Sequence, residues 1–280
     1  MGRIISFANQ KGGVGKTTTC VNVSTFMALM GKNVLMIDLD PQGNATSNLG
    51  FSKDGKFNSI YQVMAEEKTV KEAIYETNVK NLSIIPSNIH LAGVEVELVY
   101  MNQREFVIKK IFEQIKNDYD YITIDCPPSL GLITINAFTA SDAVIIPIQC
   151  EFFALEGLSQ LMNTVRLVKK KLNPELSIDG VVLTMFTNRS NLGKQVAEEI
   201  NKFLNIFKMR YKELNSLISS FLIDSKLSFP PTSIYFAIQH FLPKGQPFVS
   251  LQPLHLLFLN KLHSSQFAPH IDSILLPPYI

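Results

Sequence analysis

The amino-acid sequence predicts an α/β fold, a mostly parallel sheet with helices on both faces, ending in an incomplete or atypical C-terminal part. Three observations lead there. Apolar runs that read as strands alternate six times with helical patterns between Arg3 and about Leu204. The first run ends in a glycine-rich turn that leads into a helix. Two later runs end in aspartates, Asp38 and Asp125, at the strand edge where ligands of open α/β sheets bind.

The first run, Arg3 to Ala8, is followed by Lys11-Gly12-Gly13-Val14-Gly15-Lys16-Thr17-Thr18 and a helical stretch from Thr19 to Met30. Strand, glycine-rich turn and helix are the setting of a phosphate-binding loop. Glycines let the backbone approach a polyphosphate closely, and the helix start adds unpaired N–H donors with a partial positive charge. On this reading Lys16 reaches the β- and γ-phosphates and the Thr17 hydroxyl ligates Mg²⁺. The loop departs from the common spacing, with glycines at 12, 13 and 15 and an extra lysine, Lys11. A solvent-exposed glycine turn would also fit these residues taken alone.

The next strand, Asn33 to Asp38, is a continuous apolar run of the kind buried in parallel sheets. It delivers Asp38-Leu39-Asp40-Pro41-Gln42-Gly43-Asn44 at its carboxyl end. Two carboxylates flanking one leucine suit metal binding or water positioning, and an ordinary polar turn begun by Asp40-Pro41 suits them equally. Short helical patches are expected around Ile60–Met64 and Val70–Tyr75, then a third strand over Leu82 to Pro86. Ser87-Asn88 could cap a helix that begins near Ile89. From Arg104 to Asn117, apolar residues at Phe106, Val107, Ile111, Phe112 and Ile115 have helical spacing, with Lys109 and Lys110 on the solvated face.

Tyr119 to Asp125 is a fourth strand ending in an acid, the pattern that holds Mg²⁺ through water when it follows a phosphate loop. Cys126-Pro127-Pro128-Ser129-Leu130-Gly131 comes next, its prolines stiffening the turn. A fifth strand spans Ala143 to Ile148, and a long helix spans Phe153 to Leu172. The helix ends in Lys169-Lys170-Lys171, cations that the helix dipole accounts for. A sixth strand, Gly180 to Phe186, leads through Thr187-Asn188-Arg189-Ser190-Asn191 to a helix from Leu192 to about Phe203.

The compressed K-G-G-V-G-K-T-T loop resembles the deviant Walker A box of the ParA/MinD family of P-loop ATPases. Asn9-Gln10 before it, D-x-D-P-Q-G-N at Asp38 and D-x-P-P-S at Asp125 are similar to the chromosomal ParA (Soj) branch. The resemblance implies ATP and Mg²⁺ as ligands, held by Lys11, Gly12, Gly13, Val14, Gly15, Lys16, Thr17 and Thr18. It implies that Lys11 crosses a dimer interface to the partner's nucleotide, so the ATP state is a homodimer. Asp40 would orient the attacking water, Thr17 and Asp125 would hold the metal, and Asp38 would act on the metal through its neighbours. The loop after Asp125 would report nucleotide state. Activity would be an ATPase switch in chromosome or plasmid DNA partition, with a ParB-like centromere-binding protein triggering hydrolysis and non-specific DNA as a surface partner. Arg189 is the candidate phosphate contact, though a surface arginine fits that position equally.

Composition limits other readings. The chain has 280 residues, 46% hydrophobic content and a net charge of +2, which suits one α/β domain without a bulk nucleic-acid or membrane signal. The start of the chain carries no signal-peptide pattern, and no apolar run reaches the roughly 18 residues of a spanning helix. Cys20, Cys126 and Cys150 are widely spaced, which suits a reducing cytoplasm, with nucleoid association if DNA is bound. A MinD-like positioning ATPase would end in a basic amphipathic helix, whereas the last twenty residues hold one lysine, Lys261, among prolines.

The resemblance ends at about Leu204. We expect an ATPase domain over 1–208 and an atypical tail over 209–280, disordered or out of frame. From Asn215 onward the only charges are Asp224, Lys226, Lys244, Lys261 and Asp272, and the family's adenine-closing loop and final helix are missing. Eight of the 14 prolines and four of the five histidines fall there, so no sustained period survives. Three readings remain open: a tail translated out of frame after an insertion or deletion, a divergent interaction segment, or a histidine metal site. The first would make this a truncated family member with impaired activity. The second half of the family's basic DNA face would fall in this tail, which puts DNA binding in doubt.

Overall fold

The computed structural model describes residues 2–52, 56–150, 154–185, 195–196, 198–200, 202 and 211–213. Arg189, its loop, and the tail apart from 211–213 lie outside the described residues. The strands are β1 (Arg3–Phe7), β2 (Val34–Asp38), β3 (Tyr75–Glu76), β4 (Leu82–Ile85), β5 (Tyr121–Asp125), β6 (Ala143–Gln149), β7 (Ser177–Thr184) and β8 (Tyr211–Glu213). They form one sheet in the order β3-β4-β2-β5-β1-β6-β7-β8. All pairings are parallel except β3 with β4.

The helices are α1 (Lys16–Leu29), α2 (Asn44–Asn48), α3 (Ile60–Met64), α4 (Leu91–Leu98), α5 (Val107–Glu113), α6 (Leu132–Ala140) and α7 (Ala154–Lys171). Strand residues alternate between two faces. Leu35, Ile37, Ile122 and Ile124 join the core shared with α3 to α7, while Thr123 turns the other way and meets Ser24 of α1 at 2.6 Å. Both faces are therefore covered, and the central strands are apolar throughout because neither side meets water.

The six expected strands all form, and the sheet extends past each end of that set. β3 adds an antiparallel edge, and β8 pairs with β7 beyond the boundary expected at 208. The expected helix over Arg104–Asn117 is shorter: Gln103 has a positive φ of 56°, Arg104–Phe106 form a 3-10 turn, and α5 then runs Val107–Glu113. α6 was not expected. Its residues Leu-Ile-Thr-Ile-Asn-Ala-Phe-Thr-Ala are nearly all buried, so there is no polar face to set a period. At the basic end of α7, Lys169 Nζ reaches past the helix and donates to the Leu176 carbonyl at 2.9 Å.

Candidate active site

Register fixes the site before any side chain is considered. Phe7 of β1 lies beside Asp125 of β5, and Asp125 lies beside Asp38 of β2. The three carboxyl ends are level, so the glycine loop after β1 and both acids converge on one edge. This is where the strand order reverses about β1, the edge at which ligands of open α/β sheets bind.

The loop turns through Gly13 and Gly15, whose φ values of 75° and 81° belong to the left-handed region. Gly15 caps α1 without a side-chain hydrogen bond, leaving the first amides of α1 without a side-chain acceptor. Two residues outside the motif hold the loop. The Asn9 side chain donates to the Pro147 carbonyl at 2.7 Å and accepts from the Lys11 amide at 3.0 Å. The Thr184 hydroxyl, at the end of β7, donates to the Val14 carbonyl at 2.7 Å. In the sequence Asn9 figures only as part of the resemblance, without a role, and Thr184 is not singled out, since its partner Val14 lies 170 positions away.

Lys16 is only 7% exposed, and its Nζ donates to the Lys11 carbonyl at 3.1 Å across the loop. Burial lowers its pKa, while the nearby charges of Asp125 and Asp40 oppose the drop. Asp38 is fully buried and spends its oxygens on its own segment. Oδ1 accepts from the Asp40 amide at 3.1 Å, and Oδ2 accepts from the Thr46 amide and hydroxyl at 2.8 and 2.7 Å. Asp38 thus shapes the turn that presents Asp40, which is 7% exposed and accepts the Gln42 amide at 2.9 Å. Ser87 does not cap α4. Its amide donates to the Thr46 hydroxyl at 2.9 Å, and the local acceptor is Asn88, which takes the His90 amide at 3.1 Å.

Asp125 is the anomaly. Both of its carboxylate oxygens are buried with no hydrogen-bond partner. The Thr17 hydroxyl lies close enough to temper its pKa without reaching hydrogen-bond geometry. Burial, and then the charge of Asp38, push the Asp125 pKa well above the usual carboxylate range. Asp38 is pushed up to about 6, mainly by burial, against the hydrogen bonds from Thr46 and Asp40. Unpaired buried carboxylates are costly unless a cation answers them. Magnesium fits the chemistry of this donor set, one hydroxyl and one orphan carboxylate, both oxygen donors. Among the described residues no cluster of three His, Cys, Asp or Glu could cage a metal alone.

The sign of the pH dependence follows. A carboxyl whose folded pKa is raised favours folding at low pH, and that contribution is lost as pH rises through the folded value. The nucleotide-free protein should therefore lose stability from about pH 4 upward through pH 6, by on the order of 3 kcal/mol for the Asp38 shift from 3.8 to about 6. Asp125→Asn should flatten the decline and stabilise the nucleotide-free protein at pH 7. Urea melts between pH 4 and 8 test this, and an identical pH slope in both proteins would refute the assignment.

Backbone amides gathered at a helix start, with one buried lysine beside them, suit a polyphosphate. The fold and this edge define a P-loop nucleotide-binding protein. Comparison with known proteins narrows the class. A family described as an AAA domain matches residues 2–178. Soj, the sporulation initiation inhibitor protein of Bacillus subtilis, is 57% identical over 203 residues, covering 72% of this chain and 80% of that protein. The chromosome partitioning protein ParA of Myxococcus xanthus is 47% identical over 203 residues, covering 72% of each. A crystal structure from Mycobacterium smegmatis, described as cobyrinic acid a,c-diamide synthase with bound ADP and magnesium, has a TM-score of 0.70 and 36% identity, covering 72% of this chain and 82% of that one. The chain belongs to the ParA/Soj family of AAA-domain P-loop proteins. No helix among the described residues is long and apolar enough to cross a membrane.

Proposed function

We propose that the protein is an ATP-dependent dimerising switch of the ParA type, which hydrolyses ATP to ADP and phosphate in chromosome or plasmid partition. The orphan carboxylate of Asp125, level with the glycine loop and beside Lys16, carries this reading. Names of relatives support it, as do the ADP and magnesium in the similar crystal structure.

The loop amides and Lys16 bind the triphosphate, and Lys11 of a second subunit completes its neutralisation. Thr17 and Asp125 hold Mg²⁺, with Asp38 supporting them from the adjacent strand. Bound magnesium would supply charge for the phosphate oxygens. Asp40 aligns a water whose oxygen attacks the γ-phosphorus as the bond to ADP breaks. Such catalysis is positioning and electrostatics without a covalent enzyme intermediate. The ATPase domain is assigned to 1–208 together with β8 of its sheet, and the atypical tail to the rest of 209–280. The proposed partners are a ParB-like protein and non-specific DNA, in the cytoplasm or on the nucleoid.

The first test is stabilisation by ATP with magnesium. A binder gains about 2.7 kcal/mol when ATP is at 100 times its Kd. A flat melting curve across the titration would refute the reading. Lys11→Ala should leave ATP binding within about threefold while abolishing ATP-dependent dimerisation, since its role lies across the interface. Light scattering with and without ATP checks this, and a variant that still dimerises would remove Lys11 from that role.

A further inference from the structure

The segment leading into α4, and α4 itself, each bond to a neighbour of a site carboxylate. On one side, the Ser87 amide at its approach donates to Thr46, which in turn holds Asp38. On the other side, Glu95 of α4 meets the start of α6. Glu95 Oε1 accepts from the Ile133 amide at 3.3 Å. Gly131, the residue before α6, lies so close that a Cβ placed there would run into the same oxygen.

The position of Glu95 has a physical consequence. α6 is preceded by Gly131 at its N-cap and has no side-chain cap of its own. A carboxylate from another helix supplies the missing acceptor and the negative charge that a helix start favours. The loop from Cys126 to Gly131 is therefore fixed at both ends. Upstream, the Cys126 amide donates to the Phe7 carbonyl at 3.1 Å, next to Asp125. Downstream, the Thr134 hydroxyl donates to the Ser129 carbonyl at 2.7 Å, and Glu95 clasps the helix start. Pro128 and Ser129 are exposed between these anchors.

We propose that Glu95 is a positioning residue for ATP turnover: from α4 it sets the downstream end of the 126–131 loop, and so the alignment of that loop beside Asp125. The inference rests on the ATPase reading above. Glu95 lies on α4, outside the glycine loop and the carboxylate-bearing strands β2 and β5. The phosphate-binding groups hang on α1 and β5 and do not depend on it, so its loss separates turnover from affinity.

The experiment is a double-mutant cycle between the two sides of the contact. Glu95→Ala removes the acceptor. Gly131→Ala, allowed by an extended backbone (φ −74°, ψ −169°), pushes a methyl group into the Glu95 oxygen. Each single variant should lower kcat about tenfold with KM for ATP within about twofold, and the double variant should be no worse than either. Glu95→Gln keeps an acceptor oxygen and should restore kcat to within about threefold of the parent. In the nucleotide-free protein, hydrogen exchange of the Ile133 amide should speed up about tenfold in Glu95→Ala. Unchanged exchange, an unchanged kcat, a KM that moves with kcat, losses that multiply in the double variant, or no rescue by glutamine would each overturn the inference. A parent protein that never turns over ATP would instead defeat the ATPase reading, with Ile133 exchange still judging the contact.

Discussion

Lys16→Ala abolishes the stabilisation that ATP with magnesium gives the parent protein. For a chain of this size, ATP at 100 times Kd should raise Tm by about 5–10 °C, and the variant should show no shift. The side chain is committed to the loop already, since its Nζ spans to the Lys11 carbonyl at 3.1 Å and its stem is buried. A triphosphate arriving there exchanges that carbonyl for charged oxygens, a stronger partner for an ammonium. Removing the lysine also takes away a cation whose charge lowers the Asp125 pKa. Lys16→Met, which keeps the apolar stem, separates lost packing from lost charge. Calorimetric uptake of ATP by Lys16→Ala within about threefold of the parent affinity would sink the phosphate-loop assignment.

The glycine loop could be read from the sequence because its chemistry is local: Gly13 and Gly15 are needed for backbone reasons, and Lys16 follows at the helix start. Strands β2, β5 and β6 could be read because burial on both faces makes them uninterrupted apolar runs. Asp38 and Asp125 gained meaning from standing at the ends of such runs. What escaped was non-local. α6 has no polar stripe because Leu132 to Ala140 are enclosed nearly all round, and Thr134, Thr139 and the isoleucines argue against helix on propensity. Asn136 is tolerated inside it only because its side chain donates to the Arg104 and Leu132 carbonyls and accepts the Ile108 amide. β8 holds Tyr211, Lys212 and Glu213, with two charges in three residues, and only its neighbour β7 makes it a strand. Asn9, Thr184 and Glu95 bond to segments distant in sequence, and Thr46 links Asp38 to Ser87. Residue type and spacing carry no record of such bonds.

Asp40→Ala separates binding from chemistry in the opposite sense to Lys16→Ala. Affinity for ATP should stay within about threefold while kcat falls about a hundredfold or more, the usual worth of a water-aligning carboxylate. The variant should then accumulate as the ATP-bound dimer, because the step that dissolves it no longer occurs. The geometry supports a chemical role for Asp40 and a structural one for Asp38. Asp38 is fully buried and hydrogen-bonded to Asp40 and Thr46, so it acts as the mould for the turn. Asp40 stands at the mouth of that turn, and its charge is felt by Lys16. Loss of the Gln42 contact could loosen the turn and slow turnover without any chemical role for the carboxylate. Asp40→Asn resolves this, since its amide oxygen can still accept the Gln42 amide while its charge and basicity are gone. If alignment of water needs the carboxylate, asparagine should be nearly as slow as alanine. If the turn alone matters, asparagine should run near the parental rate. An alanine variant that hydrolyses ATP as fast as the parent would remove Asp40 from the reaction altogether.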